Sequence, residues 1–171
     1  MYLLLVIVVW ILFAYRFIDW SDWRKHYSTV LFFIVINMTY NMIYFNHTLW
    51  AFRGITLDWL NHTIINFCFT FIIVPAGLLI FLQRFPKQKR NQLIYLAVWA
   101  AFYTGIQWLF SLKGMFVYDN GWNNWFNIIL NLVLFLVLRM HDKNPVRALI
   151  VSVVLGILFI LIFPVPMESL K

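Results

Sequence analysis

The sequence predicts an all-α fold: a polytopic transmembrane helical bundle of six spans with the N and C termini outside the cytoplasm. Three observations predict it. Hydrophobic residues make up 64% of the chain and charged residues only 11%, against about 25% charged in a soluble domain. Apolar runs of membrane-crossing length recur along the chain, and its Lys and Arg residues gather in alternate connections, as the positive-inside rule requires. Uninterrupted apolar runs exclude a membrane β-barrel, whose strands alternate polar and apolar at every second residue. The 171 residues accommodate about six spans of ~20 residues with short connections, so residues 1–171 read as a single transmembrane domain.

The spans are expected at about Tyr2–Ile18, Thr29–Phe45, Thr63–Leu82, Leu93–Leu112, Trp122–Met140 and Ala148–Phe163. The first is read as a span and not as a signal peptide, because no basic residue precedes it and no small-x-small cleavage site follows. Pro75 is expected to kink the third span, and Pro164 and Pro166 end the sixth. Ala97, Ala101 and Gly105 on the fourth span, and Ser152 and Gly156 on the sixth, recur at four-residue spacing. Such small-residue faces let a helix approach a neighbour, a membrane-protein partner or a second copy of the chain. The only cysteine, Cys68, lies inside an apolar run and reads as an inert buried thiol.

The net charge of +7 is a topology signal. Arg16, Arg24 and Lys25 follow the first span, Arg84, Lys87, Lys89 and Arg90 the third, and Arg139, Lys143 and Arg147 the fifth. Only Arg53, Lys113 and Lys171 fall on the other side. The basic side is cytoplasmic. No ordered basic face remains to bind nucleic acid, so the expected partner is the lipid bilayer, with weak attraction to anionic inner-leaflet lipid. Trp20 and Trp23 then lie at the inner interface, and Trp50, Trp59, Trp122 and Trp125 at the outer one, as an aromatic belt.

Two polar stripes stand out against this background. Asp58, His62, Asn66 and Thr70 recur every fourth residue, and so do Asp119, Asn123, Asn127 and Asn131, a spacing that places each set on one helix face. The second span adds Asn37 and Asn41, the fourth Tyr103, Gln107 and Ser111, all in the outer half of the bundle. A charged side chain at a helix centre costs about 2.5–3.5 kcal/mol on insertion scales, so such residues turn inward or toward water. One reading makes these amides helix-to-helix hydrogen bonds, each contributing about 0.6 kcal/mol. The other makes them an outward-facing polar pocket, built from Asp58, His62, Asn66, Asp119, Asn123, Asn127, Asn131, Asn41, Tyr103 and Gln107, that binds or passes a small polar ligand or lipid headgroup. The nearly apolar inner halves of the second, third and fifth spans do not support a through-pore.

Two rival functions are carried beside the pocket. A membrane enzyme would use His62 as general acid–base with Asp58 or Asp119, but no nucleophile motif accompanies it and no catalytic residue is assigned. A non-catalytic structural or partner protein would use the small-residue faces. His47, Asp58, His62 and Asp119 are the candidate metal ligands, yet there is no His-Glu-x-x-His and no nearby cysteine, so no metal or other cofactor is expected. His141 and Asp142, in "RMHDKNP", read as a solvated turn.

The stretches "DWSDWRKHYSTVLFF" from Asp19, "YNMIYFNHTLWAF" from Tyr40, "LNHTIINF" from Leu60, "FPKQKR" from Phe85 and "YDNGWNNWF" from Tyr118 resemble an uncharacterised family of small multi-pass membrane proteins of endospore-forming Firmicutes. The similarity runs from about Asp19 to Lys143, in overall length, in the aspartate-tryptophan stretch and in the Asn-Gly-Trp-Asn segment. It implies a bacterial plasma membrane. The family has no assigned activity, so the resemblance implies no role for any residue.

The topology is directly testable. In a Cys68→Ser background, a membrane-impermeant thiol reagent added to intact cells should label Lys113→Cys and spare Lys87→Cys. The opposite pattern would invert the bundle.

Overall fold

A computed structural model describes residues 2–54 and 61–169 of the chain. Six long helices carry the fold: α1 Tyr2–Phe17, α2 Tyr27–Ile43, α3 His62–Gln83, α4 Lys89–Leu112, α5 Asn124–Lys143 and α6 Pro145–Ile162. Each lies within a few residues of an expected apolar run, and α3, α4, α5 and α6 are long and apolar enough to cross a membrane. Three of these helices, α3, α5 and α6, begin at an asparagine whose side chain caps them. Asn61 accepts from Ile64 N, Asn123 from Trp125 N and Asn144 from Arg147 N, satisfying amides that have no partner within the helix. Pro145 follows the last of these caps, at a position where its missing N–H costs nothing.

Inside α3, Phe69–Ile73 forms a π-helical turn immediately before Pro75. Proline has no N–H to donate, and its ring excludes the carbonyl four residues earlier. The wider turn accommodates both defects, so the distortion expected at Pro75 takes the form of a π turn.

Two short strands are an addition to the expected all-helical scheme. β1 Trp50–Phe52 and β2 Phe116–Tyr118 pair antiparallel in the register Trp50↔Tyr118, Ala51↔Val117, Phe52↔Phe116. The connection after α2 is thereby tied to the connection after α4. The ladder extends beyond both strand ends, where Arg53 N donates to Met115 O and Asp119 N to Leu49 O, each at 2.9 Å.

The packing places α4 along α5 and α5 along α6, while α2 touches both α5 and α3, and α1 lies on α3. A core of Ile18, Phe33, Leu78, Phe81, Leu138 and Ala148 fills the half away from the strand pair, the inner half of the fold. A second cluster, of Tyr44, Leu49 and Trp122 against Trp50, Phe159 and Phe163, fills the strand-pair end. Trp122 is 6% exposed and stacks in this cluster, so it does not belong to an interfacial belt; Trp20 and Trp125 do stand exposed. Large apolar side chains cover the outside of α1, α4 and α6, such as Leu12, Leu93 and Leu161, far more than the isolated patches of a water-soluble surface.

The inner end corrects one expectation. Asp142 and His141 do not form a solvated turn. Asp142 Oδ1 is 2.5 Å from His26 Nδ1, and its Oδ2 accepts from Arg139 at 2.6 Å, with the carboxylate side chain 9% exposed. His141 shares a 3.0 Å hydrogen bond with Thr29 and stacks on Phe32 at 4.0 Å, while the Arg139 guanidinium lies over Phe85 at 4.2 Å. This cluster fastens the start of α2 to the end of α5. Nearby, Gln83 and the Asp19 backbone exchange two hydrogen bonds of 2.9 Å, and Arg84 donates to Phe17 O. These contacts hold the inner end of α1 on α3. At the same end, the Ser21 hydroxyl and amide both donate to Asp19, holding its carboxyl below the usual range.

Removing one partner of a buried ion pair leaves the other uncompensated. Asp142→Asn should therefore lower stability by about 3 kcal/mol in a reversible unfolding titration, and Arg139→Met in the same chain should recover part of the loss. Lys25→Ala, which breaks only the exposed Lys25–Asp22 pair, should change stability by less than about 0.5 kcal/mol.

Candidate functional site

A cavity of about 510 Å³ lies beneath the strand pair, enclosed by α1 to α5. Its roof is Trp50, Phe52 and Phe116, and its floor includes Phe33 and Leu138. One wall is a single face of α1, Leu5, Val6, Val9, Trp10 and Phe13, at the i, i+1, i+4, i+5, i+8 spacing of a helix stripe. The space exists because α1 packs on α3 and reaches α4 through the Trp10 ring, 6.4 Å from both Phe102 and Tyr103.

The lining is mostly aliphatic and aromatic, with polar side chains set into it: Asn37 on α2, Asn66 and Thr70 on α3, Tyr103 and Gln107 on α4, and Asn131 on α5. Among the described residues, no Asp, Glu, Lys, Arg or His lines it. Asn131 Nδ2 donates to Thr104 Oγ1 and to Gln107 Oε1, both at 2.9 Å. Asn37 Nδ2 donates to Thr70 Oγ1 at 2.6 Å, and Thr70 passes its own proton to Asn66 O. Gln107 is thus engaged through its oxygen, which leaves its NH₂ available. The Asn66 amide has no partner among the described residues.

The predicted pocket residues divide into three groups. Asn66, Tyr103, Gln107 and Asn131 come together at the cavity. His62, Asn41, Asp119, Asn123 and Asn127 do not line it, each for a local reason. His62 Nδ1 accepts from Phe52 N at 3.0 Å, with its ring lying against Phe52, so it fastens β1 to the first turn of α3. Asn41 donates to the Asn37 carbonyl of its own helix. Asp58 lies outside the described residues.

The stripe from Asp119 to Asn131 is broken by a turn. Trp122 N donates to Asp119 O, and Asn120 and Gly121 have φ of 49° and 82°. Positive φ at both central positions defines a type I′ turn, for which Asn-Gly is the preferred pair. Asp119 therefore precedes the helix, exposed, with its carboxylate accepting from Asn120 N, and Asn123 serves as the N-cap. Asn127, 1% exposed, accepts from Trp122 Nε1 and donates to the Tyr118 hydroxyl, which donates to Asn124. Burial pushes the Tyr118 hydroxyl above its usual pKa. Asn127 thus clamps the turn and the strand end onto α5. No hydrogen bond joins His62 to Asp119, and among the described residues no three His, Cys, Asp or Glu side chains are grouped to hold a metal ion.

Comparison with protein-family models, with curated proteins and with solved structures finds no match to this chain. The site is therefore interpreted from its own chemistry.

Tyr103 carries a feature that spacing does not reveal. Its hydroxyl is buried without a hydrogen-bond partner and occupies the notch left by the missing side chain of Gly77, beside Trp10. A Cβ at Gly77 would overlap that hydroxyl, so Gly77 is what admits α4 and Trp10 to α3 at this level. On the far side of α4, Ala97, Ala101 and Gly105 border a shallow groove shared with Trp125 and Leu132 of α5; a Cβ added at Gly105 would meet no atom within 4 Å.

The notch predicts a compensating pair. Gly77→Ala should destabilise the bundle by about 1–3 kcal/mol through overpacking, and Tyr103→Phe, which removes the colliding oxygen, should restore most of that loss. Additive losses in the double-mutant cycle would rule out the direct clash.

Proposed function

We propose that this chain is a membrane protein whose cavity binds an amphipathic molecule, a lipid, with polar groups met by the Asn66–Gln107–Asn131 amides and its chain lodged among the aliphatic and aromatic walls. The observation that carries the reading is the composition of that cavity: apolar on most of its surface, with a few convergent amides, the usual constitution of a small-molecule site. Volume supports it too, since ligand pockets span about 300–1,000 Å³.

The finer placement belongs to the same proposal. We take α1 and α2, of 16 and 17 residues, as two further crossings, short ones that tilt and local thinning accommodate, to make six spans with both termini outside. The alternation of basic connections supports this orientation. The resemblance to small Firmicutes membrane proteins supports a bacterial plasma membrane. A second reading, in which the chain also seats a neighbouring membrane helix, draws on the open groove beside Ala97, Ala101 and Gly105.

A cavity-filling substitution tests the main reading. Native mass spectrometry of the protein released from nanodiscs should show a lipid adduct on the wild type that falls about tenfold in Leu134→Trp, roughly 1.4 kcal/mol of binding. Leu132→Trp, facing the groove instead, should keep it. Equal retention in wild type and Leu134→Trp would overturn lipid binding in the cavity.

A further inference from the structure

The cavity chemistry narrows the class of lipid, and the narrowing rests on the lipid-binding reading above. Among the described residues, no cationic side chain lines the space. Arg53 and Lys113, the basic residues at the strand-pair end, have exposed side chains that are not part of it, and Arg139 is committed to Asp142 at the opposite end. An anionic phosphate drawn among Phe, Leu and Ile would leave water without a counter-charge, a steep desolvation cost. The Asn66 amide and the Gln107 NH₂ instead offer uncharged hydrogen bonds from α3 and α4. These suit a carbonyl or hydroxyl oxygen, which is far cheaper to desolvate than a phosphate and gains a partner on arrival.

Exposure around the cavity indicates the way in. Among the described residues the floor is buried, Phe33 6% and Leu138 1% exposed, and the roof is partly covered, with Phe116 2% exposed and Trp50 and Phe52 half-buried. The lining residues on the α1–α4 side are open, with Leu5 62% exposed, Phe13 50% and Phe102 48%. This rim is wholly apolar and faces outward from the bundle at the level where lipid tails lie in the proposed placement. A water-borne polar ligand would have to cross it or displace the strand pair, whereas a lipid already in the bilayer meets it edge-on.

We infer that the cavity takes an uncharged lipid, with a carbonyl- or hydroxyl-bearing head and a long hydrocarbon tail, and that this lipid enters sideways from the bilayer between α1 and α4. The amides bind the head, and the tail follows the face of α1 from Leu5 to Phe13.

The test uses the full chain in nanodiscs with two diazirine probes of identical acyl chains, a diacylglycerol and a phosphatidylglycerol, at equal mole fraction. Photolabelled residues are mapped by peptide mass spectrometry. Diacylglycerol should label the Leu5–Phe13 face and the Phe102–Phe110 face at least about fivefold above phosphatidylglycerol, and unlabelled diacylglycerol should compete. Gln107→Leu should reduce that labelling, and Asn66→Leu provides the same readout if the first variant does not fold. Phosphatidylglycerol labelling at or above the diacylglycerol level would overturn the uncharged class while leaving lipid binding intact. Labelling confined to outward residues such as Leu12 and Leu93, by either probe, would overturn both. For the route, Val9→Cys and Ile106→Cys in the Cys68→Ser background, joined by a bifunctional thiol reagent, should suppress labelling of the cavity; unchanged labelling would overturn sideways entry.

Discussion

A polar group shut away from water must find its hydrogen-bond partner within the chain, and that requirement organises this fold. It makes the long segments helical, and it also decides where the asparagines and the buried charges go. Asn131 joins α5 to α4 through Thr104 and Gln107, and Asn37 joins α2 to α3 through Thr70. Asn127 holds a turn and a strand end to the helix that follows them. At the other end, a single carboxylate, Asp142, serves both His26 and Arg139. The connections obey the same rule. The segments after α2 and after α4 satisfy each other's backbone as β1 and β2.

The helices were legible in the sequence because length and apolar composition are local properties, and each α-helix lies within a few residues of a run that hydropathy marks. The polar residues of the cavity were legible for a related reason: Asn37, Asn66, Gln107 and Asn131 are uncharged polar residues well inside apolar runs, and such residues turn inward. The four-residue rhythm was then carried too far. It ran through Asp119 and Asn123, where the Asn120–Gly121 pair marks a turn; that dipeptide was the signal that should have ended the stripe. The inner ion cluster was not legible at all. His26 and Asp142 are 116 residues apart, and nothing near either residue distinguishes a buried pair from two loop residues. The notch at Gly77 was equally silent, since it depends on which helix supplies the facing tyrosine.

The cavity follows from unequal packing of the helices. α4, α5 and α6 lie against one another in chain order and α3 meets α4 through Phe81 against Tyr95 and Trp99, but α1 rests on α3 and reaches α4 through the Trp10 ring. Dense packing on one side of α4 and an aromatic strut on the other leave a void where the amides of three helices converge. The unpartnered Tyr103 hydroxyl lies at the same level. It marks a place where the bundle tolerates an unmet polar group to let three elements meet closely.

The π turn in α3 has a consequence for how the two ends of that helix are aligned. A π turn is one residue longer than the α-helical turn it replaces, and each residue advances an α-helix by about 100°. The segment from His62 to Cys68 is therefore indexed against Val74–Gln83 by the extra residue within Phe69–Ile73. Deleting one residue there would restore regular winding and leave the two segments nearly in phase, because the wide turn absorbs the extra residue; rewinding those five residues as regular α-helix would instead rotate the outer segment by about a quarter turn. Asn66 would then swing out of the cavity and His62 away from Phe52, while the inner core stayed in place. The phase between the site and the scaffold is held by one wide turn, which is why a segment with no chemistry of its own governs where the chemistry points.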